Sequence, residues 1–230
     1  MSDNIAPKHI GYIVDGNRRW ARERGLLPHK GHEAGYDVIK EIALANFNSG
    51  VEYVSAYIFS TENWKRSEDE VSRLMNMVLR LFKVDIDFFQ KNNIKLRVLG
   101  SREKVSRQIL KAINDAEAKT VNNTAGTLAL CFNYGGHQEI VDSVKKIIQS
   151  GTSADNVTTG LIEQNLYAPE IPPVDLVVRT SGEQRISNFM LWRIAYSEMM
   201  FIDKYWPDMT ANDVTEIIKE YNNRSRRFGG

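Results

Sequence analysis

Residues 9–21 read HIGYIVDGNRRWA, and this stretch decides the fold. His9 to Val14 is a short apolar and β-branched run, the pattern of a buried strand. It stops at Asp15-Gly16, where glycine permits a sharp turn. Charged and amide residues follow at once. A buried strand that empties into a polar turn is the opening unit of a sheet whose strand ends carry chemistry.

Moving outward, the same unit recurs. Ala34 to Asn48 has helical period and stops at Gly50. Val51 to Phe59 (VEYVSAYIF) reads as a second strand. Val71, Leu74, Met75, Val78, Leu79 and Phe82 then recur at three- and four-residue spacing, giving a helix with one apolar face. Ile94 to Leu99 is a third strand, Lys104 to Val121 a helix, Thr127 to Phe132 a fourth strand and Gln138 to Gln149 a helix. Residues 151–173 are rich in Gly, Ser, Thr and Pro and form the loosest region, with one short helical piece. Asp175 to Val178 is a fifth strand, Tyr196 to Phe201 a candidate sixth, and Thr210 to Asn222 a closing helix. This alternation predicts one α/β domain over residues 1–230, with about six mainly parallel strands covered by helices. Ligands of such sheets sit beyond the carboxyl ends of the strands.

The composition fits one soluble domain. The chain has 230 residues, 42% apolar and 26% charged, enough for a single core. Thirty basic residues against 29 acidic ones leave a net charge of +1, which gives no support for a nucleic-acid binder. One cysteine, Cys131, excludes an intrachain disulfide framework and a Cys-rich zinc site. The four histidines form no HExxH pattern. No signal-like or membrane-spanning apolar run is present, so a cytoplasmic setting is expected.

Two strand ends stand out. Asp15-Gly16-Asn17-Arg18-Arg19-Trp20 follows the first strand, and Arg179-Thr180-Ser181-Gly182-Glu183-Gln184-Arg185-Ile186-Ser187-Asn188-Phe189 follows the fifth. Each combines glycine, small polar residues and two arginines. Backbone N–H groups and bidentate guanidinium groups bind phosphate oxygens. Two such clusters at one sheet edge point to two phosphorylated groups side by side. Asp15 would repel a phosphate unless a cation such as Mg²⁺ bridged them. The plainer alternatives are that Asp15 caps the next helix and that the arginines form surface ion pairs. No GxxxxGK[ST] loop and no GxGxxG after the first strand are present. The apolar helix face of residues 71–82, with Ile58, Ile94 and Leu128, either lines a tunnel below these clusters or simply forms the core.

At these residues the chain resembles the cis-prenyltransferases, the family of undecaprenyl diphosphate synthase. The resemblance runs through HIGYIVDGNRRWA, GHEAG (31–35), AYIFSTENWKR (56–66), NYGG (133–136), VDLVVRTSGEQRISNFMLW (174–192) and RRFGG (226–230). It implies Mg²⁺-dependent condensation of isopentenyl diphosphate with an allylic diphosphate, with each new double bond Z. By carry-over, Asp15 and Asn63 would be the catalytic residues, with Asp15 also metal-binding and Glu198 a second metal-associated carboxylate. Gly16, Asn17, Arg18, Arg19, Trp20 and His32 would hold the allylic diphosphate. Ser60, Thr61, Glu62, Trp64 and Arg66 would border its reacting end. Arg179, Arg185, Ser187, Arg227 and Gly229 would hold isopentenyl diphosphate. The resemblance also implies a homodimer and peripheral contact of a long apolar product with a membrane.

The chain departs from the usual bacterial pattern at three positions. Arg18 stands for a glycine, Pro28 for a frequent arginine and Gln184 for a frequent histidine. Two cues to product length conflict. Ile58 stands at a wall position often held by alanine, and Gly126 where a large floor residue often sits. A short-chain or branched product, a non-catalytic partner-dependent subunit and a phosphatase using Asp15 are the competing readings.

Overall fold

The computed structural model describes residues 6–224. Six strands form one sheet in the order β3-β4-β2-β1-β5-β6. They are β1 (His9–Ile13), β2 (Tyr53–Ser60), β3 (Ile94–Leu99), β4 (Gly126–Tyr134), β5 (Leu176–Arg179) and β6 (Glu198–Phe201). Every pairing is parallel, so the sheet is fully rather than mainly parallel. The central strand β1 is buried along its whole length, and it needs cover on both faces.

The helices are α1 (Asn17–Glu23), α2 (Pro28–Asn48), α3 (Glu68–Lys83), α4 (Ile86–Lys91), α5 (Arg107–Thr120), α6 (Gly136–Gln149), α7 (Thr159–Asn165) and α8 (Ala211–Asn223). Apolar residues of α2, α3, α4, α5 and α8 pack with Ile10, Tyr12, Val54, Ala56 and Leu128 in one core layer. Tyr57, Cys131 and Val177 point to the opposite face, where Phe189, Met190 and Ile194 cover them. Side chains alternate between the layers because successive strand residues face opposite ways.

Three helices depart most from the sequence reading. α2 begins at Pro28, not Ala34, because proline at its first position costs no hydrogen bond there. α1 and α4 were not expected as helices; each spans two turns or less, too short for a periodic signal. No described helix is long and apolar enough to cross a membrane.

Candidate active site

β1 ends at Ile13, and the chain turns through Gly16 at φ +103° into α1. A side chain at that angle would be strained, and the ring of Tyr205 already fills the space where a Cβ would go. Asp15 therefore sits between strand and helix with its carboxylate held from two sides. Its Oδ1 accepts the Gly16 N–H at 2.7 Å, and its Oδ2 accepts Arg179 Nη2 at 2.8 Å. Arg19 Nη2 lies 3.4 Å from the same Oδ2. Burial pushes the Asp15 pKa up, but the Arg179 hydrogen bond, the Gly16 N–H and both guanidinium charges outweigh it, so it lies below the ordinary value. The cap of α1 is Gly16, which has no side-chain bond, so Asp15 is not merely a helix cap.

Arg179 ends β5 and is buried, 3% exposed, which rules out a surface ion pair. Besides Asp15 it donates to the Arg185 carbonyl and to Ser187 Oγ at 2.8 Å. Its Nε is buried without a partner. Arg19 donates to Ser181 Oγ at 2.5 Å and lies 3.1 Å from Glu183. The loop after β5 thus wraps both arginines. Ser181, Ser187, Asn188 and Met190 all have positive φ, a cluster of strain of the kind that gathers at functional sites.

These groups border two adjoining pockets. One, of about 330 Å³, is lined by Asp15 through Arg19 together with His32, Asn63 and Arg66. The other, of about 580 Å³, is lined by Asp15, Ser60, Glu62, Asn63, Arg66, Arg179, Arg185 and Ser187. Asp15, Asn63 and Arg66 stand on the shared wall. Asn63 is fixed there by its Oδ1, which accepts the Ser60 N–H at 3.0 Å in a reciprocal cap of the turn over Thr61–Lys65.

His32 and Arg66 are joined through Glu70. Arg66 Nη1 donates to Glu70 Oε1 at 2.8 Å, and His32 Nε2 lies 3.7 Å from it. Burial and the nearby Arg66 charge push the His32 pKa down to about 4, so it is neutral at pH 7. Arg18 is exposed and borders a further pocket with Pro28 and His32. It puts a cation beside Pro28.

Beneath the first pocket lies a third, apolar cavity of about 60 Å³. Val14, Ile39, Ile58, Leu74, Val78 and Trp206 are among its walls. The apolar face of α3 is split. Leu74 and Val78 reach this cavity, whereas Val71, Met75 and Leu79 line a separate groove next to α5. Phe82, Ile94 and Leu128 are core residues.

Other expected site residues lie elsewhere. Trp20 turns away, donating to Asp208 at 2.6 Å beneath the Arg24 guanidinium. Thr61 packs against Gly135, where a Cβ would stand 2.7 Å from its Oγ1. Trp64 lines the groove next to α5 and donates to Asn133 Oδ1 at 2.7 Å. Glu198 begins β6 level with Leu176, which is itself level with Ile10, so it sits at the amino end of the sheet. There it pairs with Arg224 at 3.1 Å, and most of β1 separates it from the level of Asp15. No cluster of three metal-ligating side chains occurs among the described residues. Arg227 and Gly229 lie outside the described residues. Sequence reasoning missed Tyr57, which lines both polar pockets, and it gave no role of its own to Asn188, which stands in the strand-end cluster and follows Ser187 in the second pocket. The strand-end rule pointed to the right loop for Asn188 but gave no signal for Tyr57, which sits within β2.

Comparison with known proteins agrees with this arrangement. The family model described as undecaprenyl diphosphate synthase matches residues 13–229. The isoprenyl transferase of Thermotoga maritima is 40% identical over 97% of each chain. That of Clostridium perfringens is 43% identical over 100% of this chain and 92% of its own. Among solved structures, lavandulyl diphosphate synthase from Lavandula x intermedia, in complex with dimethylallyl diphosphate, superposes with a TM-score of 0.93 at 29% identity. The match covers 99% of this chain and 100% of that one. A probable undecaprenyl diphosphate synthase from Campylobacter jejuni gives a TM-score of 0.83 at 29% identity, over 98% of this chain and 100% of that one. With two basic pockets meeting at Asp15 above an apolar cavity, the chain belongs to the undecaprenyl diphosphate synthase family and is an isoprenyl transferase, a cis-prenyl diphosphate synthase.

Proposed function

We propose that this enzyme elongates an allylic diphosphate with isopentenyl diphosphate to give a Z-polyprenyl diphosphate, the precursor of an undecaprenyl-type lipid carrier. The observation that carries the reading is the shared wall: two basic pockets meet at Asp15, Asn63 and Arg66, and the Asp15–Arg19 pocket shares Asn17, His32, Ile58 and Leu74 with the apolar cavity, whereas the other shares only Val14. An anion with a growing apolar tail suits the Asp15–Arg19 pocket. A small anion suits the Arg179–Ser187 pocket. The lavender relative's complex with dimethylallyl diphosphate supports an allylic diphosphate as one substrate.

Asp15 suits Mg²⁺, since it is the carboxylate on the wall of both anion pockets and such an ion takes one or two carboxylates plus phosphate oxygens. Bound there, Mg²⁺ would neutralise charge growing on the leaving diphosphate. Arg18, Arg19 and the first N–H groups of α1 bind the same diphosphate and stabilise that charge. Arg179, Arg185 and Ser187 hold isopentenyl diphosphate at reacting distance, so much of the acceleration is positional. The ion pair with Arg179 makes Asp15 a weak base. That favours a diphosphate oxygen as acceptor of the proton lost after condensation. Glu198 would join the ion only from a second copy, because its own chain places it at the far end of the sheet. The edge strand β6, with its Phe201 and the preceding Tyr196 exposed, supports a homodimer. Arg227 and Gly229 would add to the isopentenyl diphosphate site. The reading includes a cytoplasmic setting with peripheral membrane contact through the product.

A second reading, a short product, is favoured by the cavity. Roughly 150 Å³ accommodates a benzene-sized group, and this cavity holds about 60 Å³. Ile58 narrows its wall. Deeper down, Gly126 opens no floor, because the Phe47 ring stands 2.2 Å from where its Cβ would be.

The test is incorporation of radiolabelled isopentenyl diphosphate with Mg²⁺ and C5 to C20 allylic primers, resolved by chain length. A ladder near C50 or beyond supports the carrier-precursor reading, and a stop at C10 to C20 supports the short product. Asp15→Ala is expected to lose at least ~100-fold in turnover with an unchanged fold. No product from any primer would overturn both readings.

A further inference from the structure

The hydroxyl of Thr180 does not face either anion pocket. The residue is fully buried, at 0% exposure. Its Oγ1 donates to the Asp15 carbonyl at 2.6 Å and accepts the Asp15 N–H at 2.9 Å. One hydroxyl on the β5 side therefore closes on both polar groups of the Asp15 backbone. The other ties between these two turns are the Arg179–Asp15 ion pair, Arg19 on Ser181 and Glu183, and the Thr180 N–H on the Ile13 carbonyl at 3.4 Å. The rest of the Asp15 backbone is held by its neighbours. Its N–H also approaches the Ile13 carbonyl at 2.9 Å, and its carbonyl also accepts the Trp206 N–H at 3.0 Å.

We propose that Thr180 is a positioning residue, whose hydroxyl sets where the Asp15 carboxylate stands relative to the wall shared by the two substrate pockets. The inference rests on the condensation reading above. Asp15 belongs to neither strand nor helix, so no ladder of backbone bonds fixes it. Its side chain leaves from a Cα between the two groups that Thr180 grips. Without the hydroxyl, the Ile13 and Trp206 bonds still hold the chain path but leave the turn free to tilt away from β5. Such a tilt moves the carboxylate against both substrates while the residues that bind isopentenyl diphosphate keep their own supports. A displacement near 1 Å is enough to cost on the order of 100-fold in rate.

The test compares purified Thr180→Val, Thr180→Ala and Thr180→Ser with the wild type, each checked for folding by circular dichroism and thermal unfolding. Val keeps the shape without the hydroxyl; Ser keeps the hydroxyl without the methyl. The expected result is a fall in kcat of roughly 10- to 100-fold for Val and Ala, with KM for isopentenyl diphosphate within about threefold and Ser restoring kcat to within about threefold. If Val does not fold, the Ala and Ser pair carries the same comparison, since it differs only in the hydroxyl. Folded Val or Ala with wild-type kcat overturns the proposal. So does a Ser variant as slow as Ala, or a loss that appears equally in kcat and in the folded fraction. An inactive wild type with every primer would instead overturn the parent reading, which separates the two failures.

Discussion

His9 shows how a single side chain ties the fold to pH. Its Nδ1 bonds the Pro172 carbonyl at 2.9 Å, which makes Nε2 the acceptor of the Ser55 hydroxyl at 2.8 Å. The ring is fully buried and neutral. Burial, aided by the Arg193 charge, pushes its pKa down to about 4 from 6.5, against the pull of the Pro172 and Pro173 carbonyls. Between those values the unfolded chain binds the proton and the folded chain does not, so stability falls as pH drops from about 6.5 towards 4. The loss from His9 is on the order of 3 kcal/mol at the lower limit. His32 adds a contribution of the same sign. Urea unfolding at pH 7 and pH 4.5 should show this loss in the wild type and a smaller one in His9→Gln. Equal pH slopes in the two proteins would defeat the argument. The sequence places His9 at the head of a buried strand but does not show what satisfies its ring, because those partners come from residues 172–173 and from Ser55.

At the scale of elements, α1 and α2 meet through two glycines. A Cβ at Gly31 would stand 1.8 Å from the Asn17 carbonyl oxygen, and one at Gly35 would stand 2.1 Å from Asn17 Oδ1. Their four-residue spacing puts both on the face that receives the turn from Asp15 into α1. Glycine and proline are poor helix formers, so propensity alone starts this helix late, at Ala34. Close packing outweighs that cost here. Gly31→Ala should cost roughly 1–3 kcal/mol or more by overpacking, because the clash is with backbone. It should also lower activity by moving Asn17 and Arg18. A thermal-unfolding midpoint and turnover both at wild-type values would show that α1 yields freely. The strands were legible because apolar runs bounded by turns survive in any context. The loop after β5 was legible as an anion cluster, but its folding around Arg179 was not. Positive φ at Ser181, Ser187 and Asn188 is imposed by contacts across the sheet edge, and these residue types do not announce it.

For the whole molecule, the parallel sheet explains why residues far apart in sequence, Asp15 and Arg179, form one site. Strand ends on adjacent strands share an edge, so the doubled pattern was readable before its geometry was known. Glu198 was less readable, because a carboxylate in a short strand does not reveal which end of the sheet it occupies. On the proposed reading, the space between the sheet and α2 sets product length. One face of α2 descends from His32 past Ile39 and Ala43 to Phe47, about 20 Å at helical rise. Phe47→Leu, at a cost near 1 kcal/mol, is expected to shift the products of the isopentenyl diphosphate assay towards greater length. An unchanged distribution would mean that the chain stops higher, at the level of Ile58. The strand order has a consequence for the making of the protein as well as its working. β1 sits between β2, which follows it directly, and β5, whose pairing with it ties His9 to Asp175 across 166 positions. At 5–20 residues per second, a ribosome needs roughly 10–30 s to deliver the second partner after the first strand has emerged. Through that interval one edge of the central strand stays unpaired and open to the wrong neighbour. The Asp15 carboxylate therefore acquires its arginine late in synthesis.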